Sequence, residues 1–362
     1  MRLVEEQLLP SAEPVCLIDQ YGVPQPHPSY ELPSRDVLVD GYTQLIKGRR
    51  FNEQASALVR QGRLAVYPSS YGQEACQLAA TMVLREGDWL FPTYRDSVSI
   101  MSRGVDPIET LTLLRGDWHS GYDPYEHKVA PQATPLATQL PHAVGVAHAA
   151  RLKGADTVVM ALVGDGGTSE GDFHEALNFA AVFQAPVVFF IQNNEYAISV
   201  PLARQTAAPS LAHKGIGYGI PGERADGNDL AGLIALLGQA VEKARSGAGP
   251  QLIEAHTYRV QAHTNADDAS RYRQDSEVAP WLERDPIQRL TTYLEAQGWL
   301  DDDVKQRAEA GAVEVATRLR DGLMPEPEVD PADLFSYLYA EQTQQLREQA
   351  AFLRDELARE EA

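Results

Sequence analysis

The 362-residue chain is long enough to bury a sizeable core, and its composition, with 44% hydrophobic and 23% charged residues, is typical of a soluble globular protein. A formal net charge of −20 at pH 7 argues against binding to nucleic acid or to an anionic membrane surface, and leaves a basic protein partner open. Cys16 and Cys76 suggest neither a disulfide framework nor a metal-binding pair, no apolar run is long enough to span a membrane, and the first residues lack a secretory pattern. We therefore expect a cytoplasmic protein.

The first third of the chain mixes helical and strand patterns. Residues 1–33 are polar, proline-rich and without clear periodicity, which predicts an extended N-terminal arm. Helical patterns follow over Arg35–Gln61 and Gly72–Leu84, and Trp89–Phe91 predicts a short buried strand. Residues 115–135 contain several glycines and prolines and are predicted to form a loop.

The centre of the chain contains a strand–helix–strand pattern. Val158–Val163 is a continuous apolar run rich in β-branched residues, which predicts a strand buried on both faces. Gly171–Phe183 has apolar residues at helical spacing, and Val187–Ile191 predicts the next strand. Polar residues follow both strands, and ligands of parallel sheets bind outside the carboxyl ends of the strands. We therefore expect Asp165 and Asn194 to lie close together, although 28 residues separate them.

Further elements surround this unit. A helix of small residues is predicted over Pro141–Leu152, a short strand over Arg224–Asp226, an amphipathic helix over Asn228–Arg245 and a strand over Gln251–Tyr258. From Asp285 onward the pattern is helical and highly charged.

Alternation of strands and helices predicts an α/β fold with a mainly parallel sheet flanked by helices. We divide the chain into the extended arm over residues 1–33, an α/β domain over residues 34–300, and a helical C-terminal extension of the same domain over residues 301–362. The last helix is polar on nearly all sides, so a solvated helix and a partner-binding helix are equally good interpretations of it.

The residues after the two central strands suit a divalent cation that carries a phosphate. Mg²⁺ prefers oxygen ligands and is usually held by one or two protein groups together with substrate phosphates. Asp165 supplies charge, Asn194 supplies a neutral carbonyl oxygen, and the loop that follows can add the backbone carbonyl of Tyr196. The amides of Gly164-Asp165-Gly166-Gly167 can donate to phosphate oxygens. The pattern predicts a magnesium–phosphate site.

Two other phosphate-binding motifs do not fit these glycines. A Walker-type loop requires Gly-Lys-Ser/Thr, which does not follow them. A dinucleotide motif fails because Ser169 occupies the third glycine position and no acidic residue ends the next strand.

Candidate phosphate ligands also occur near Tyr94 and in the loop after the last predicted strand. Arg95 follows a predicted strand end, where it can clamp diphosphate oxygens or form a structural ion pair. His263 can stabilise charge near neutral pH, although a lone histidine in a loop is more often a surface residue.

The segment before the small-residue helix offers further oxygen ligands. Residues 133–141 contain Thr134, Thr138 and Gln139, which can face a ligand from the start of the helix. The simpler interpretation of Thr138 is that it caps the helix.

The spacing of Gly164-Asp165-Gly166 and Asn193-Asn194, with 26 residues between them, resembles the thiamine diphosphate fingerprint of transketolase-like enzymes. From about residue 60 to residue 300 the chain is similar to the α-subunit of the decarboxylating first component of 2-oxoacid dehydrogenase complexes. The motifs that carry this resemblance are Tyr94-Arg95-Asp96, Pro135-Leu136-Ala137-Thr138-Gln139, Gly164–Gly171, Asn193-Asn194 with Tyr196-Ala197-Ile198-Ser199, and His263 through Tyr272-Arg273.

The resemblance implies a role for each matching residue. The metal ligands for Mg²⁺ would be Asp165, Asn194 and the carbonyl of Tyr196, and a potassium ion, bound in branched-chain members, would lie at Thr138 and Gln139. His263 would also steady the cofactor during acyl transfer, as a catalytic residue. The residues implied to contact thiamine diphosphate are Tyr94, Arg95, Thr134, Leu136, Gly164, Asp165, Gly166, Gly167, Gln192, Asn194 and His263.

Two positions depart from the family pattern. Thr264 stands where mitochondrial members carry a phosphorylated serine, which puts kinase control in doubt, and Gln192 stands where some members place an arginine near the phosphates.

The implied reaction is the oxidative decarboxylation of a 2-oxoacid, with acyl transfer to a lipoyl domain on an acyltransferase core. The His263–Arg273 loop is closer to branched-chain members, while pyruvate and acetoin-type dehydrogenases remain alternatives. We find one diphosphate-binding half only, so we expect a separate β-subunit to supply the pyrimidine side in an α2β2 assembly. A catalytically silent scaffold subunit is the alternative from another functional class.

Overall fold

The computed structural model describes residues 8–116, 120–324 and 330–360. Predictions that concern residues 1–7, 117–119, 325–329 or 361–362 lie outside these ranges. The chain divides into two compact units, Met1–Arg320 and Asp321–Ala362.

A five-stranded parallel sheet forms the centre of the first unit. Its strands lie in the order β1-β2-β3-β7-β6, and every neighbouring pair runs parallel. A separate two-stranded antiparallel hairpin is formed by β4 and β5. The strands are β1 Trp89–Phe91, β2 Val159–Gly164, β3 Val187–Asn193, β4 Tyr196–Ala197, β5 Val200–Pro201, β6 Gly222–Asp226 and β7 Gln251–His256. The predicted α/β fold with a mainly parallel sheet is confirmed.

Helices surround the sheet and complete both units. Those that begin in the first unit are α1 Arg35–Arg60, α2 Glu74–Met82, α3 Ser97–Ser102, α4 Pro107–Arg115, α5 Pro124–His127, α6 Gln139–Lys153, α7 Gly171–Phe183, α8 Leu230–Arg245, α9 Asp275–Leu282, α10 Pro286–Ala296 and α11 Asp302–Gly322. The second unit contains α12 Asp333–Ser336 and α13 Gln344–Glu360. None of the helices in the described ranges is both long and apolar enough to cross a membrane.

The hydrophobic core lies between the sheet and the helices α6 and α7. Alternate residues of β2 and β3, such as Ala161 and Phe189, pack against Ala143 of α6 and Phe173 of α7 in one buried cluster. Helix α8 contacts β3, β6 and β7, and α2 packs on α8. Because helices cover the sheet, β3 is buried along its whole length, as its continuous apolar run predicts.

The described part of the N-terminal arm lies along the edge strand β6. Val15 forms a parallel bridge with Ala225, donating its backbone amide to the carbonyl of Arg224 at 2.8 Å. The buried carboxylate of Asp229 accepts backbone hydrogen bonds from Leu17 (2.6 Å) and Ile18 (3.1 Å), and also caps helix α8. The arm therefore covers an edge that would otherwise expose unpaired backbone groups. Its status as a separate segment stays a prediction, as does the boundary at residue 300.

Most predicted elements are confirmed to within a few residues, and two differences are informative. The segment 115–135 was predicted as a loop but contains the short helix α5, which begins with Pro124 after a capping Asp123. The capping prediction for Thr138 is wrong, because its backbone is already helical and its hydroxyl makes no capping hydrogen bond.

Candidate active site

A cavity of ≈ 440 Å³ opens at the carboxyl ends of the parallel strands. Its walls come from the segments that follow β1, β2, β3 and β7, and from the loop that precedes α6. This volume lies within the usual range for small-molecule and cofactor sites. The parallel topology explains the position, because the ends of neighbouring parallel strands meet at one edge of the sheet.

The cavity brings together residues that lie far apart in the sequence. All residues proposed from the sequence for the site line it, except Thr138. The residues concerned are Tyr94, Arg95, Thr134, Leu136, Gln139, Gly164, Asp165, Gly166, Gly167, Gln192, Asn194, Tyr196 and His263.

Asp165 and Asn194 are neighbours, as the sequence predicts. In the β2–β3 register Gly164 pairs with Gln192, so the two polar residues follow the paired strands at the same edge. The backbone amide of Asn194 lies close enough to the Asp165 carboxylate to lower its pKa, and both residues line the cavity. The side-chain oxygen of Asn194 accepts from the backbone amide of Tyr196 at 3.3 Å, which leaves one of its lone pairs available.

Asp165 is a buried carboxylate without a cationic partner. It is 2% exposed, and no ion pair involves it in the part of the chain that the structure describes. Burial raises the pKa of Asp165, while hydrogen bonds from Gln205 (Nε2 to Oδ2, 2.6 Å) and from backbone amides oppose the rise. An unpaired buried carboxylate is costly, so this position fits a bound cation.

The other atoms near Asp165 fit Mg²⁺ in particular. The described residues contain no group of three or more histidine, cysteine or acidic side chains that would suit a transition metal. One carboxylate with neutral oxygen atoms is typical of Mg²⁺, which completes its shell with water and substrate phosphates. Asn194 and the carbonyl of Tyr196 are the neutral oxygen donors at this edge.

The loop after Asn194 is held in a strained shape by Arg259. Glu195 and Ile198 adopt positive φ angles of 69° and 54°, which is rare for residues with a side chain, and especially for a β-branched one. Arg259 donates to the carbonyl of Tyr196 at 3.1 Å and to that of Ile198 at 2.6 Å. The carbonyl of Tyr196 keeps a second lone pair that a metal can use.

The glycines before α7 allow a close approach of backbone and ligand. A Cβ on Gly166 would lie 2.7 Å from the Cβ of Ala197, so a side chain is excluded there. A Cβ on Gly164 would meet no described atom within 4 Å and would enter the cavity. This open space next to backbone amides fits phosphate oxygens.

Two guanidinium groups converge on His263. Arg95 donates to the carbonyls of Ser69 (3.0 Å) and His263 (3.1 Å), and its Nη2 lies 3.0 Å from the Nδ1 of His263. Nη1 of Arg259 lies 3.4 Å from the same ring nitrogen. No ion pair is observed for Arg95 or Arg259 within the ranges described, so the alternative of a structural ion pair at Arg95 is not supported.

The two arginines determine the tautomer of His263. A guanidinium can only donate, so Nδ1 must accept and the ring proton lies on Nε2. Burial, then Arg95 and Arg259, lower the pKa of His263 to about 4. The ring lies edge-on to Tyr94 and lines the cavity, and His263 is therefore a neutral hydrogen-bond donor there.

Substitution of His263 by alanine is expected to weaken thiamine diphosphate binding by about 10- to 100-fold, because a hydrogen bond to a charged group contributes about 1.5–3 kcal/mol. The loss should be the same between about pH 5.5 and 8, since a pKa near 4 keeps the ring neutral throughout. Calorimetric titration of the assembled enzyme measures both.

The matched variant for this prediction is His263→Gln, whose amide nitrogen can take the place of Nε2. It should retain more affinity than the alanine variant. A loss that appears only below about pH 6.5, the ordinary pKa of histidine, would show instead that a charged imidazolium binds the diphosphate.

Thr138 and Gln139 occupy different environments. Thr138 lies outside the cavity, with its hydroxyl 3.5 Å from the carboxylate of Asp172. Gln139 donates to the carbonyl of Leu162 at 2.7 Å and keeps its side-chain oxygen free for another contact. A potassium site at these two residues stays a prediction.

Sequence reasoning did not identify the roles of Arg259, Gln205 and Gln73. Arg259 could have been found, since it follows the carboxyl end of β7 as the other ligands follow β1 to β3. Gln205 reaches Asp165 only because β4 and β5 fold back over the cavity, and Gln73 comes from the start of α2. Neither position has a signal in the local sequence.

A family model described as "Dehydrogenase E1 component" matches residues 42–317, a range that contains every residue lining the cavity. The chain belongs to this family of E1 dehydrogenases. The family depends on thiamine diphosphate, in agreement with a cavity that is lined by Arg95, His263 and the glycine loop.

Curated relatives in the E1 family match nearly the whole chain. The 3-methyl-2-oxobutanoate dehydrogenase subunit alpha of Mycobacterium tuberculosis (strain ATCC 25618 / H37Rv) is 46% identical over 349 residues, covering 96% of this chain and 95% of the relative. The pyruvate dehydrogenase E1 component subunit alpha of Acholeplasma laidlawii is 36% identical, covering 87% and 92%. The protein of the same name from Staphylococcus aureus (strain Mu50 / ATCC 700699) is 37% identical, covering 86% and 85%.

Proposed function

We propose that this chain is the α-subunit of a thiamine-diphosphate-dependent 2-oxoacid dehydrogenase, which decarboxylates its substrate and transfers the acyl group to a lipoyl domain. The observation that carries this proposal is the convergence of Asp165, Asn194, Arg95 and His263 on one cavity in a chain of the E1 family. In this cavity the buried carboxylate of Asp165, the guanidinium group of Arg95 and the neutral imidazole of His263 come together from three separate parts of the chain.

Several residues of the cavity are assigned to the binding of the cofactor. Asp165, Asn194 and the carbonyl of Tyr196 would bind Mg²⁺ and thereby the diphosphate. Arg95 and the Nε2–H of His263 would donate to the terminal oxygens, while the glycine amides would face the remaining oxygens. When bound, thiamine diphosphate would supply a nucleophilic carbon and an electron sink for the decarboxylation.

The chain supplies one half of this site. The described residues form a single parallel sheet, whose cavity holds ligands for a diphosphate and a metal. We assign the base that activates the aminopyrimidine to a second chain, and the relatives are named as α-subunits. We therefore infer a β-subunit partner in an α2β2 assembly that acts on a lipoyl acyltransferase core. The free thiols of Cys16 and Cys76 agree with a reducing, cytoplasmic environment.

A branched-chain 2-oxoacid is the substrate that we favour. The mycobacterial relative named for 3-methyl-2-oxobutanoate is more similar to this chain than either pyruvate dehydrogenase relative described above. The apolar side chains of Val66, Leu114 and Leu136 line the cavity and suit an aliphatic group. Pyruvate and acetoin-type dehydrogenases are the alternatives.

Substrate choice can be measured with the enzyme reconstituted from its α- and β-subunits. We expect kcat/KM for 3-methyl-2-oxobutanoate to exceed that for pyruvate by at least about tenfold, because each methyl group in an apolar pocket contributes about 1–3 kcal/mol. The two substrates should be compared at the same cofactor and acceptor concentrations. A preference for pyruvate would overturn the substrate assignment and leave the cofactor assignment intact.

A catalytically silent scaffold is the second candidate, and the presence of Asp165 and Asn194 argues against it. Thiamine diphosphate with Mg²⁺ should raise the melting temperature of the assembled protein, since a ligand that binds only the folded state stabilises it. An unchanged melting temperature would favour the scaffold.

A further inference from the structure

A line of four buried side chains connects the proposed metal ligand Asn194 to Asp96. Asn194 donates from Nδ2 to the Oε1 of Gln73 at 3.0 Å, and Gln73 donates from Nε2 to the Oε1 of Gln192 at 3.3 Å. Gln192 in turn donates from Nε2 to the Oδ1 of Asp96 at 2.7 Å. The exposed fractions of Asn194, Gln73, Gln192 and Asp96 are 5%, 2%, 2% and 0%. We call this line the amide chain.

All hydrogen bonds of the amide chain point in the same direction, toward Asp96. An amide has almost the same shape when its oxygen and nitrogen are exchanged, so the orientation of each amide depends on its hydrogen-bond partners. A carboxylate can only accept, and Asp96 therefore requires the NH₂ of Gln192. The oxygen of Gln192 then requires the NH₂ of Gln73, whose oxygen requires the NH₂ of Asn194.

The direction of these hydrogen bonds determines which atom of the Asn194 amide faces the proposed cation position. With its NH₂ directed toward Gln73, Asn194 directs its oxygen toward the backbone amide of Tyr196, in the cavity that Asp165 also lines. Mg²⁺ binds an amide oxygen and does not bind an amide nitrogen. The orientation of Asn194 is thus set on one side by the backbone amide of Tyr196 and on the other by a carboxylate three side chains away.

We propose that Asp96, through Gln192 and Gln73, is a positioning residue that fixes the oxygen of Asn194 toward the metal. The inference rests on the proposed Mg²⁺–diphosphate site and adds residues that act on it without touching the ion. It also assigns a role to Gln192, which stands where some members of the family place an arginine. The oxygen of its side-chain amide accepts from Gln73, and the NH₂ group donates to Asp96.

The substitution Asp96→Asn tests the direction of the chain. The other carboxylate oxygen, Oδ2, accepts from the backbone amide of Thr93 at 2.7 Å. In the variant the Thr93 amide would donate to the single side-chain oxygen at position 96. The NH₂ group of the new side chain would then face the NH₂ of Gln192. Either a donor–donor conflict remains buried, or the amides reverse and Asn194 presents nitrogen to the metal.

We expect the Asp96→Asn enzyme, assembled with its β-subunit, to bind Mg²⁺ about 10- to 100-fold more weakly at saturating thiamine diphosphate, as is typical when a partner of a metal ligand is lost. Calorimetry or cofactor-dependent fluorescence quenching measures this without turnover. At saturating Mg²⁺, kcat should return to within about threefold of the wild-type value, which a general structural defect would not allow.

The double variant Asp96→Asn/Gln73→Glu provides a matched rescue. A carboxylate at position 73 accepts from Asn194 and from a reversed Gln192, whose oxygen then accepts from the new amide at position 96. Every partner is satisfied again, and the net charge is unchanged. Gln73→Glu alone places a carboxylate at each end of Gln192 and should not bind Mg²⁺ more tightly than the wild type.

The decisive result is therefore non-additivity between the two substitutions. We expect the double variant to bind Mg²⁺ with an affinity within about threefold of the wild type. It should therefore recover most of the about 10- to 100-fold loss that is expected for Asp96→Asn alone. Additive effects, or an Asp96→Asn affinity equal to the wild type, would overturn the inference while leaving the proposed function in place. Failure of the wild-type assembly to bind Mg²⁺ and thiamine diphosphate would overturn both.

Discussion

Replacement of Asp165 by asparagine is expected to weaken Mg²⁺-dependent binding of thiamine diphosphate by at least about 100-fold in the assembled enzyme. Loss of a residue that supports a metal ligand already weakens metal binding by about 10- to 100-fold, and Asp165 is the charged group among the three proposed ligands. Calorimetric titration of the cofactor with and without Mg²⁺ gives the affinity directly.

When no metal is present, the same substitution is expected to increase the stability of the folded chain. Burial raises the pKa of Asp165 in the folded chain, so between the ordinary aspartate pKa, about 4, and the raised value the folded state binds more protons than the unfolded state. The metal-free wild type therefore loses stability as the pH rises through this window. Asp165→Asn should remove that loss, and thermal unfolding in a chelator at several pH values measures it.

Glu170→Gln is the control for these measurements. Glu170 lines the same cavity but is exposed, so its charge is well solvated and its replacement should leave Mg²⁺ affinity nearly unchanged. Unchanged thiamine diphosphate affinity in Asp165→Asn would refute the metal site.

The second large effect concerns the isolated chain. Purified without a β-subunit, it should decarboxylate 2-oxoacids at least about 100-fold more slowly than the reconstituted enzyme, because a positioned acid–base group alone contributes 10²- to 10⁴-fold. The physical reason is the proposed division of the site, in which this chain binds the diphosphate and the β-subunit supplies the group that activates the aminopyrimidine. Single-turnover assays with an artificial electron acceptor measure both rates.

The control for this prediction is the same preparation after addition of the β-subunit, which should restore the rate. Full activity of the chain by itself would show that the site is complete within one subunit, and the inferred division of the active site would be wrong.

The central part of the fold could be predicted because its signals are local. The apolar runs of β2 and β3 mark strands buried on both faces, and the helical spacing of α7 gives the bounds Gly171–Phe183 that the structure has. Once two parallel strands are recognised, the geometry of a sheet brings Asp165 and Asn194 together. The convergence of these residues therefore followed from patterns of a few residues.

The missed features are of two kinds, namely the starts of two helices and contacts between distant segments. The glycines and prolines of residues 115–135 predict a loop, although a proline such as Pro124 is well accommodated in the first turn of a helix such as α5. Thr138 has the composition of a helix cap, yet the helical conformation begins one residue earlier than that interpretation requires. Gln205 donates to the Asp165 carboxylate and Arg259 donates to the carbonyl of Ile198, and both contacts form only when distant parts of the chain are folded together.

A crystal structure of the assembled enzyme with thiamine diphosphate and Mn²⁺ in place of Mg²⁺ would test the central claim most directly. We predict one anomalous scattering peak for each copy of this chain, within coordination distance of the Asp165 carboxylate and of the side-chain oxygen of Asn194, with the diphosphate beside Arg95 and His263. A peak elsewhere, or a diphosphate bound without contact to a metal held by Asp165 and Asn194, would contradict the account.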